Sequence, residues 1–456
     1  MVDAFLLEHQ INPLIYAIGG GLNPASIKDQ MIRARMMVDK AYEAALIGPK
    51  RALLVIGLGA AGATASLHAA MLGVETILVE KRSNPFYLQR ESTRELNPTA
   101  YDWPHTHWHE GIMPWGDTPR MPLVWAAGKA NDIAAAWLSQ LEEISRILPH
   151  LSIRMNQPVL VNNVCMNNKD GMLDIQISPE EIRPFGMLLA CTGSGPECCE
   201  IGTYTGMQFW GSNTLQNDNL GTDNTPVQVA ISGCGDGALQ DYLHILTGNY
   251  APECYSRLKD KMPLTVQPIF HTIEQAILSA ETQAQAALKW STTQQNDHKI
   301  LNRLHNIHTR QVDILLENKV IIKRVKKLIV NRSIDIKLFH SCTHFTTCYP
   351  INRFLVILIE RYLKKMEDKE TIKPETKLIS VVSADPENHK CKNNSNACYG
   401  KQHIIQYAQH VRCTEQNIPI TEQTEANVII IRHGITPSQN EFQTDDIRQI
   451  LPLHIA

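Results

Sequence analysis

The chain is 456 residues long, with 43% apolar and 20% charged side chains and a formal net charge of −3. That length accommodates two or three domains with substantial cores. The near-neutral balance argues against a wholesale nucleic-acid binder, and no apolar run approaches the ~18 residues of a membrane span. Eleven cysteines, odd in number and scattered, read as reduced thiols rather than a disulfide framework. The first residues, MVDAFLLEHQINPLIYAIGGG, carry early acids and no basic n-region, unlike a secretory leader. Asn, Gln, Lys and Ile crowd the stretch 290–350, which suggests a bacterial gene. A cytoplasmic setting is expected, with export to a host cell left open.

In chain order, Ser26 to Leu46 places Ile32, Met36, Val38, Ala41 and Ala45 at helical spacing, and Pro49 separates this helix from the first nucleotide-unit strand. Next comes RALLVIGLGAAGATASLHAAMLGVETILVEKR, Arg51–Arg82. An apolar strand leads into Gly57-x-Gly59-x-x-Gly62, then a small-residue helix, then a second strand ending in Glu80, Lys81 and Arg82. Each part suits a strand–turn–helix–strand unit that holds a dinucleotide. Gly57 turns the chain off the strand, Gly59 lets a pyrophosphate approach past Ala60 and Ala61, and Gly62 packs the helix on the sheet. The pyrophosphate then sits at the positive helix N-terminus, and Glu80 can accept from a ribose diol.

The stretch 83–120 is irregular and includes YDWPHTHWHE; a helix is expected over 122–146 and short strands near 151–156, 159–165 and 173–178. Arg183–Gly195, RPFGMLLACTGSG, reads as an apolar strand breaking at Cys191-Thr192-Gly193, as a strand does beneath a bound nucleotide. A second glycine turn comes in VQVAISGCGDGALQDYLHIL: Gly233-x-Gly235-Asp236-Gly237-Ala238, with Ala238 an accepted substitute for the last glycine. Asp236 suits the helix dipole. Helical pattern then fills 250–330 before a strand at Ile334–Phe339. Two readings stay open for it: an insertion between the first helix and second strand of the second unit, or an independent helical module.

Smaller signals have competing readings. His105, His107 and His109 share one face if the segment is extended. They could ligate a metal, or Trp103, His105 and His107 could form a substrate- or cofactor-facing wall, or the loop could be structural. Cys342, His344 and Cys348 make a poor closed zinc site without a fourth ligand, so no metal is expected. Lys319–Arg332 places Ile321, Ile322, Val325, Leu328 and Ile329 on one helical stripe beside a basic face. Such a helix can meet a protein partner or a membrane surface, or simply pack on its own domain. Arg432-His433-Gly434, with Thr436 and Asn440, lacks the length after it that histidine phosphatase chemistry needs.

The order GLGAAG with Glu80, then LLACTGSG, then ISGCGDGALQD resembles the two-dinucleotide-binding-domain flavoprotein superfamily, which includes pyridine-nucleotide disulfide reductases and flavin monooxygenases. The resemblance implies an α/β fold of two Rossmann-like units, over 1–225 (with a short β segment at 151–195) and 226–456, the second carrying the helical insertion. It also implies FAD on Gly57, Gly59, Ala60, Ala61, Gly62, Glu80, Lys81, Arg82, Thr192 and Gly193. NAD(P)H would sit on Gly233, Gly235, Asp236 and Gly237. The implied activity is a flavin oxidoreductase passing electrons from NAD(P)H to a small substrate or oxygen; the alternative is a non-catalytic dinucleotide sensor or interaction module. Two departures stand out. No CxxC or CxxxxC pair is present, and the late strand ANVIIIRHG ends in Arg432-His433-Gly434 where the superfamily has a ribityl-contacting Gly-Asp.

Overall fold

Short, continuously apolar runs build the parallel strands of this protein, because a strand covered on both faces needs no polar alternation. A computed structural model describes residues 3–18, 26–105, 121–159, 163–167, 171–193, 195–211, 227–289, 294–331, 333–345, 348–383, 403–409 and 420–435. The chain divides into two compact units. The first takes its described residues from 3–98, 121–196 and Ile435, the second from 99–105 and 197–434.

In the first unit a six-stranded sheet runs in the order Gln10–Asn12, Ile15–Ala17, Met187–Ala190, Leu53–Ile56, Thr76–Val79, Leu151–Arg154. All pairings are parallel except that between the first two strands. Every residue of Leu53–Ile56, Thr76–Val79 and Met187–Ala190 is buried. The helices Ile27–Glu43 and Ala60–Met71 pack on each other, and the latter also on Leu53–Ile56. Ser26 caps the first of these, its side chain accepting from Asp29 N at 3.1 Å. An antiparallel meander of Val164–Asn167, Met172–Ser178 and Glu181–Phe185 leads into Met187–Ala190. Its central strand alternates buried and half-buried residues, placing Leu173, Ile175 and Ile177 in one cluster with Leu54, Ile56, Ile77, Val79 and Leu188.

The second unit repeats this plan. Its parallel sheet runs Ile372–Lys373, Ile334–Phe339, Val227–Ser232, Val428–Ile431. The antiparallel strands Thr376–Ser383, His403–Gln409 and Ile420–Ala426 lead into Val428–Ile431, just as the first meander leads into Met187–Ala190. Leu378, Val381 and Ile405 cover one sheet face with Ala230, Phe339, Ile429 and Ile431. The helix Asp236–Thr247 comes after the central strand, and Pro350–Glu367 is buried along most of its length.

Between Asp236–Thr247 and Ile334–Phe339 lie the helices Ala251–Lys259, Gln267–Lys289, Gln294–Leu315 and Lys319–Leu328. They form the insertion and are no independent module. Tyr255, Ile273, Ile277, Val312, Ile321 and Val325 share one core with Val229, Ile231 and Ile336. The apolar stripe of Lys319–Leu328 is spent inside its own unit, while Lys319, Lys323, Lys326 and Lys327 face solvent; Arg332 lies outside the described residues. No helix among the described residues is long and apolar enough to cross a membrane.

Three expectations change. The helix expected over 122–146 spans Ala130–Ile147, starting where the chain leaves the two-residue strand Gly128–Lys129. Trp103 is no cofactor wall: it is 1% exposed, with its ring 5.1 Å from those of both Tyr255 and Phe354 in the second unit's core. The strand at 426–434, Val428–Ile431 in the structure, lies beside Val227–Ser232 and closes the second sheet. It therefore says nothing about a flavin contact in the first unit. His107 and His109, Thr436 and Asn440 lie outside the described residues.

Candidate functional site

In both sheets the order of strand addition reverses beside the central strand, and in open α/β sheets ligands bind at that switch, outside the carboxyl ends of the strands. In the first unit the switch lies between Leu53–Ile56 and Met187–Ala190, so it brings Gly57 against Cys191 and Thr192. Gly57 has φ +101°, a region that favours glycine, and a Cβ there would lie 2.5 Å from Cys191 O. A Cβ on Gly62 would lie 1.8 Å from Gly57 O, so only glycine lets the helix start this close to the strand. A Cβ on Gly59 would meet nothing within 4 Å. The fingerprint's two packing glycines are thus enclosed and its ligand-facing one is open, which is a cradle that fits a pyrophosphate at the start of Ala60–Met71.

Glu80 organises the rim. Its Oε2 accepts from Leu58 N at 2.7 Å and its Oε1 from Arg82 N at 2.9 Å. The carboxylate therefore ties the glycine turn to the end of the second strand. The Arg82 guanidinium lies 4.0 Å from the centre of the Tyr87 ring, and Lys81 is exposed. Gly193 continues the chain past Thr192 with φ +80° and open space at its Cβ position.

The second turn repeats the backbone hydrogen bonds that fix the first to its neighbouring strands. Gly57 N donates to Val79 O at 2.8 Å, and Gly233 N to Phe339 O at 2.9 Å. Cys191 N donates to Ile56 O, and Arg432 N to Ser232 O, both at 2.7 Å. Gly233 has φ +148°, and its Cβ would lie 2.3 Å from Arg432 O; Gly235, like Gly59, would meet nothing within 4 Å. Ala238, at the third glycine position, is fully buried.

The side chains differ. Arg432 stands where the first unit has Cys191. Its Nε donates to Asp241 Oδ2 at 2.8 Å, a buried pair that joins the returning strand to the helix Asp236–Thr247. Gly237 makes room for it, since a Cβ there would lie 3.3 Å from Arg432 Cδ and 3.3 Å from Phe209 Cδ2. Asp236 Oδ1 accepts from Tyr349 N and from Asn352 Nδ2, both at 2.8 Å, and so links the starts of two helices. Burial raises its pKa to about 7 against the opposing pull of those two hydrogen bonds. By register His340 stands where the first unit has Glu80. Burial lowers its pKa to about 4, so it is a neutral imidazole at pH 7, with no negative charge for a ribose diol.

The other motif residues scatter. His105 is half-buried, its N–H donating to Asp102 O at 2.9 Å. His344 stacks on His305 at 4.3 Å and its Nε2 pairs with Asn302 Oδ1 at 3.0 Å. Burial raises the Cys348 thiol to about 12. Cys342 instead lies against Cys234, with their Sγ atoms 3.9 Å apart, a meeting that their separation in sequence hides. Among the described residues no group of three or more His, Cys, Asp or Glu is disposed to hold a metal ion. A pair the sequence also hides is Ser232 Oγ with His433 Nε2, 2.7 Å apart at the second switch.

No family model and no curated protein matches the chain. Among solved structures it is similar to the bacillithiol disulfide reductase of Staphylococcus aureus, at 11% identity over 86% of this chain and 78% of that one, with a TM-score of 0.39. It is also similar to thioredoxin reductases. For that of Lactococcus lactis the identity is 11% over 84% of this chain and 78% of that one (TM-score 0.36). For that of T. acidophilum it is 10% over 87% and 80% (TM-score 0.37). At such values the likeness is one of outline, and the fold stands on the sheet orders and registers of the two units.

Proposed function

We propose that the protein is a flavin-dependent oxidoreductase, with FAD held by the first unit and NAD(P)H by the second, acting on a small substrate or oxygen. The observation that carries this reading is the first turn: Gly57 and Gly62 enclosed by backbone, Gly59 open, and Glu80 fixed at the end of the neighbouring strand. Backbone N–H groups at the start of Ala60–Met71 would take the pyrophosphate and Glu80 the ribose, with Thr192 and Gly193 forming the opposite wall at the switch. Bound flavin supplies the electron-transfer chemistry; the chain's own part is to bind, orient and shield it. No catalytic side chain is assigned.

A second reading, a dinucleotide-binding sensor without redox activity, draws on the second turn. There Arg432 and Phe209 crowd Gly237, Asp236 serves two helix ends, and neutral His340 replaces the acid. The absorption spectrum of the purified protein separates the two. Flavin bands near about 370 and 450 nm, released on heating and lost in Gly59→Glu, are expected for a flavoprotein. A colourless protein that takes up no added FAD overturns the oxidoreductase reading.

A further inference from the structure

The two units share backbone geometry so closely that position-by-position differences are informative. In the first unit, Glu80 bridges the backbone of Leu58 and Arg82. Counting along the matched registers, the second unit has His340 for Glu80, Cys234 for Leu58 and Cys342 for Arg82. The carboxylate bridge is gone, and the two side chains flanking its place are thiols with Sγ atoms 3.9 Å apart. Both cysteines are half-buried, as are Cys198 and Cys348, but it is Cys234 and Cys342 whose sulfurs meet.

We propose that Cys234 and Cys342 are an oxidisable dithiol that closes as a reversible disulfide across the rim of the second glycine turn, with a peroxide as oxidant. Cys234 is the attacking sulfur, because it lies one residue before Gly235, the N-cap of Asp236–Thr247, where unpaired N–H groups favour a thiolate. Its contact with Cys234, and then burial, hold the Cys342 thiol well above the usual thiol range. The Cys234 thiolate attacks one peroxide oxygen; an S–O bond forms, the O–O bond breaks, and the departing hydroxide takes up a proton as water. Cys342 sulfur then attacks the Cys234 sulfenic acid, forming the S–S bond, breaking the S–O bond and releasing hydroxide, which leaves as water with the Cys342 proton. Two electrons pass from the thiol pair to the peroxide, and an external dithiol reverses the reaction.

The S–S bond fills the rim position that the Glu80 carboxylate holds in the first unit, where a ribose enters in a working dinucleotide unit. The oxidised protein therefore binds a nicotinamide dinucleotide less well, a consequence that rests on the second turn being the NAD(P)H site. The experiment treats the full chain with graded hydrogen peroxide, digests it without reduction, and identifies linked peptides by mass spectrometry. In parallel, NADH binding is followed by fluorescence before oxidation, after it, and after dithiothreitol. The expected result is a linked peptide pair containing Cys234 and Cys342, lost with dithiothreitol, absent in Cys234→Ser and in Cys342→Ser, and retained in Cys198→Ser. NADH binding should weaken about tenfold or more on oxidation and recover on reduction. Sulfinic acid accumulating on Cys234, or linkage of Cys234 to a different cysteine, overturns the dithiol; the unmodified chain supplies this result even where a variant fails to fold. A Cys234–Cys342 bond that leaves NADH affinity unchanged overturns the control of binding. A chain that forms the bond yet binds NADH in neither state upholds the dithiol and overturns the nicotinamide reading of the second turn.

Discussion

Glycine acts in two distinct ways at the first turn, and substitution separates them. At Gly62 an added methyl would lie 1.8 Å from Gly57 O, where nothing flexible can yield. Gly62→Ala should therefore lower stability by ~1–3 kcal/mol or more, seen as a depressed melting temperature with or without FAD. Gly59→Glu meets open space, so its melting temperature without cofactor should stay near that of the unsubstituted protein while flavin uptake fails. At Asp236 the relevant variable is pH. Its folded pKa of about 7 exceeds the ordinary 3.8, so between these values the folded chain binds more protons than the unfolded one, and this group's contribution is greatest at low pH. Relative to Asp236→Asn, the native protein should lose stability as pH rises from about 4 through about 7 in urea denaturation. A difference that stays flat across that window would show that the side chain titrates as an ordinary carboxylate.

Among elements, the returning strand Val428–Ile431 and the helix Asp236–Thr247 share an apolar core and are also joined by one buried charged pair. Arg432 and Asp241 are 6% and 1% exposed in their side chains, so removing one partner strands the other in a dry setting. Arg432→Met or Asp241→Leu alone should each cost ~3–5 kcal/mol, and the double variant should recover most of that loss. Urea midpoints of the three proteins decide whether the pair is coupled in this way. The sequence segment ANVIIIRHG was legible as a strand from its apolar run. Its sheet was not legible, because pairing between strands so far apart in the chain depends on which central strand is free to accept it, and each unit has a central strand with one edge that takes a returning strand.

For the whole molecule, the chain is interleaved rather than cut once. Residues 99–105 belong to the second unit, and the second unit begins at Glu197. A fragment starting at residue 226 therefore lacks Trp103 and, with it, Cys199 and Ile201 of the second unit's cores. Losing a buried tryptophan alone is worth ~3–5 kcal/mol. Fragment 226–456 should show weak near-ultraviolet circular dichroism and a broad melt, and co-expression with 99–225 should sharpen both. A fragment that melts cooperatively by itself would establish residue 226 as a true domain start.

What the sequence alone determined is local and periodic. The glycine turns at 57–62 and 233–238, the apolar strands feeding them, the helix from Ile27 and the strand Ile334–Phe339 were readable because backbone freedom and residue spacing act within a few positions. The helical insertion was readable as helix, though not as core, since an amphipathic stripe declares a buried face without naming its partner. Tertiary structure decided the rest. It placed Trp103 inside the second unit, set Arg432 against Gly237, turned Asp236 toward Tyr349 and Asn352, and brought Cys234 within 3.9 Å of Cys342. Each of these is a contact between residues far apart in the chain, and such contacts are selected by packing and sheet register, which no local pattern carries.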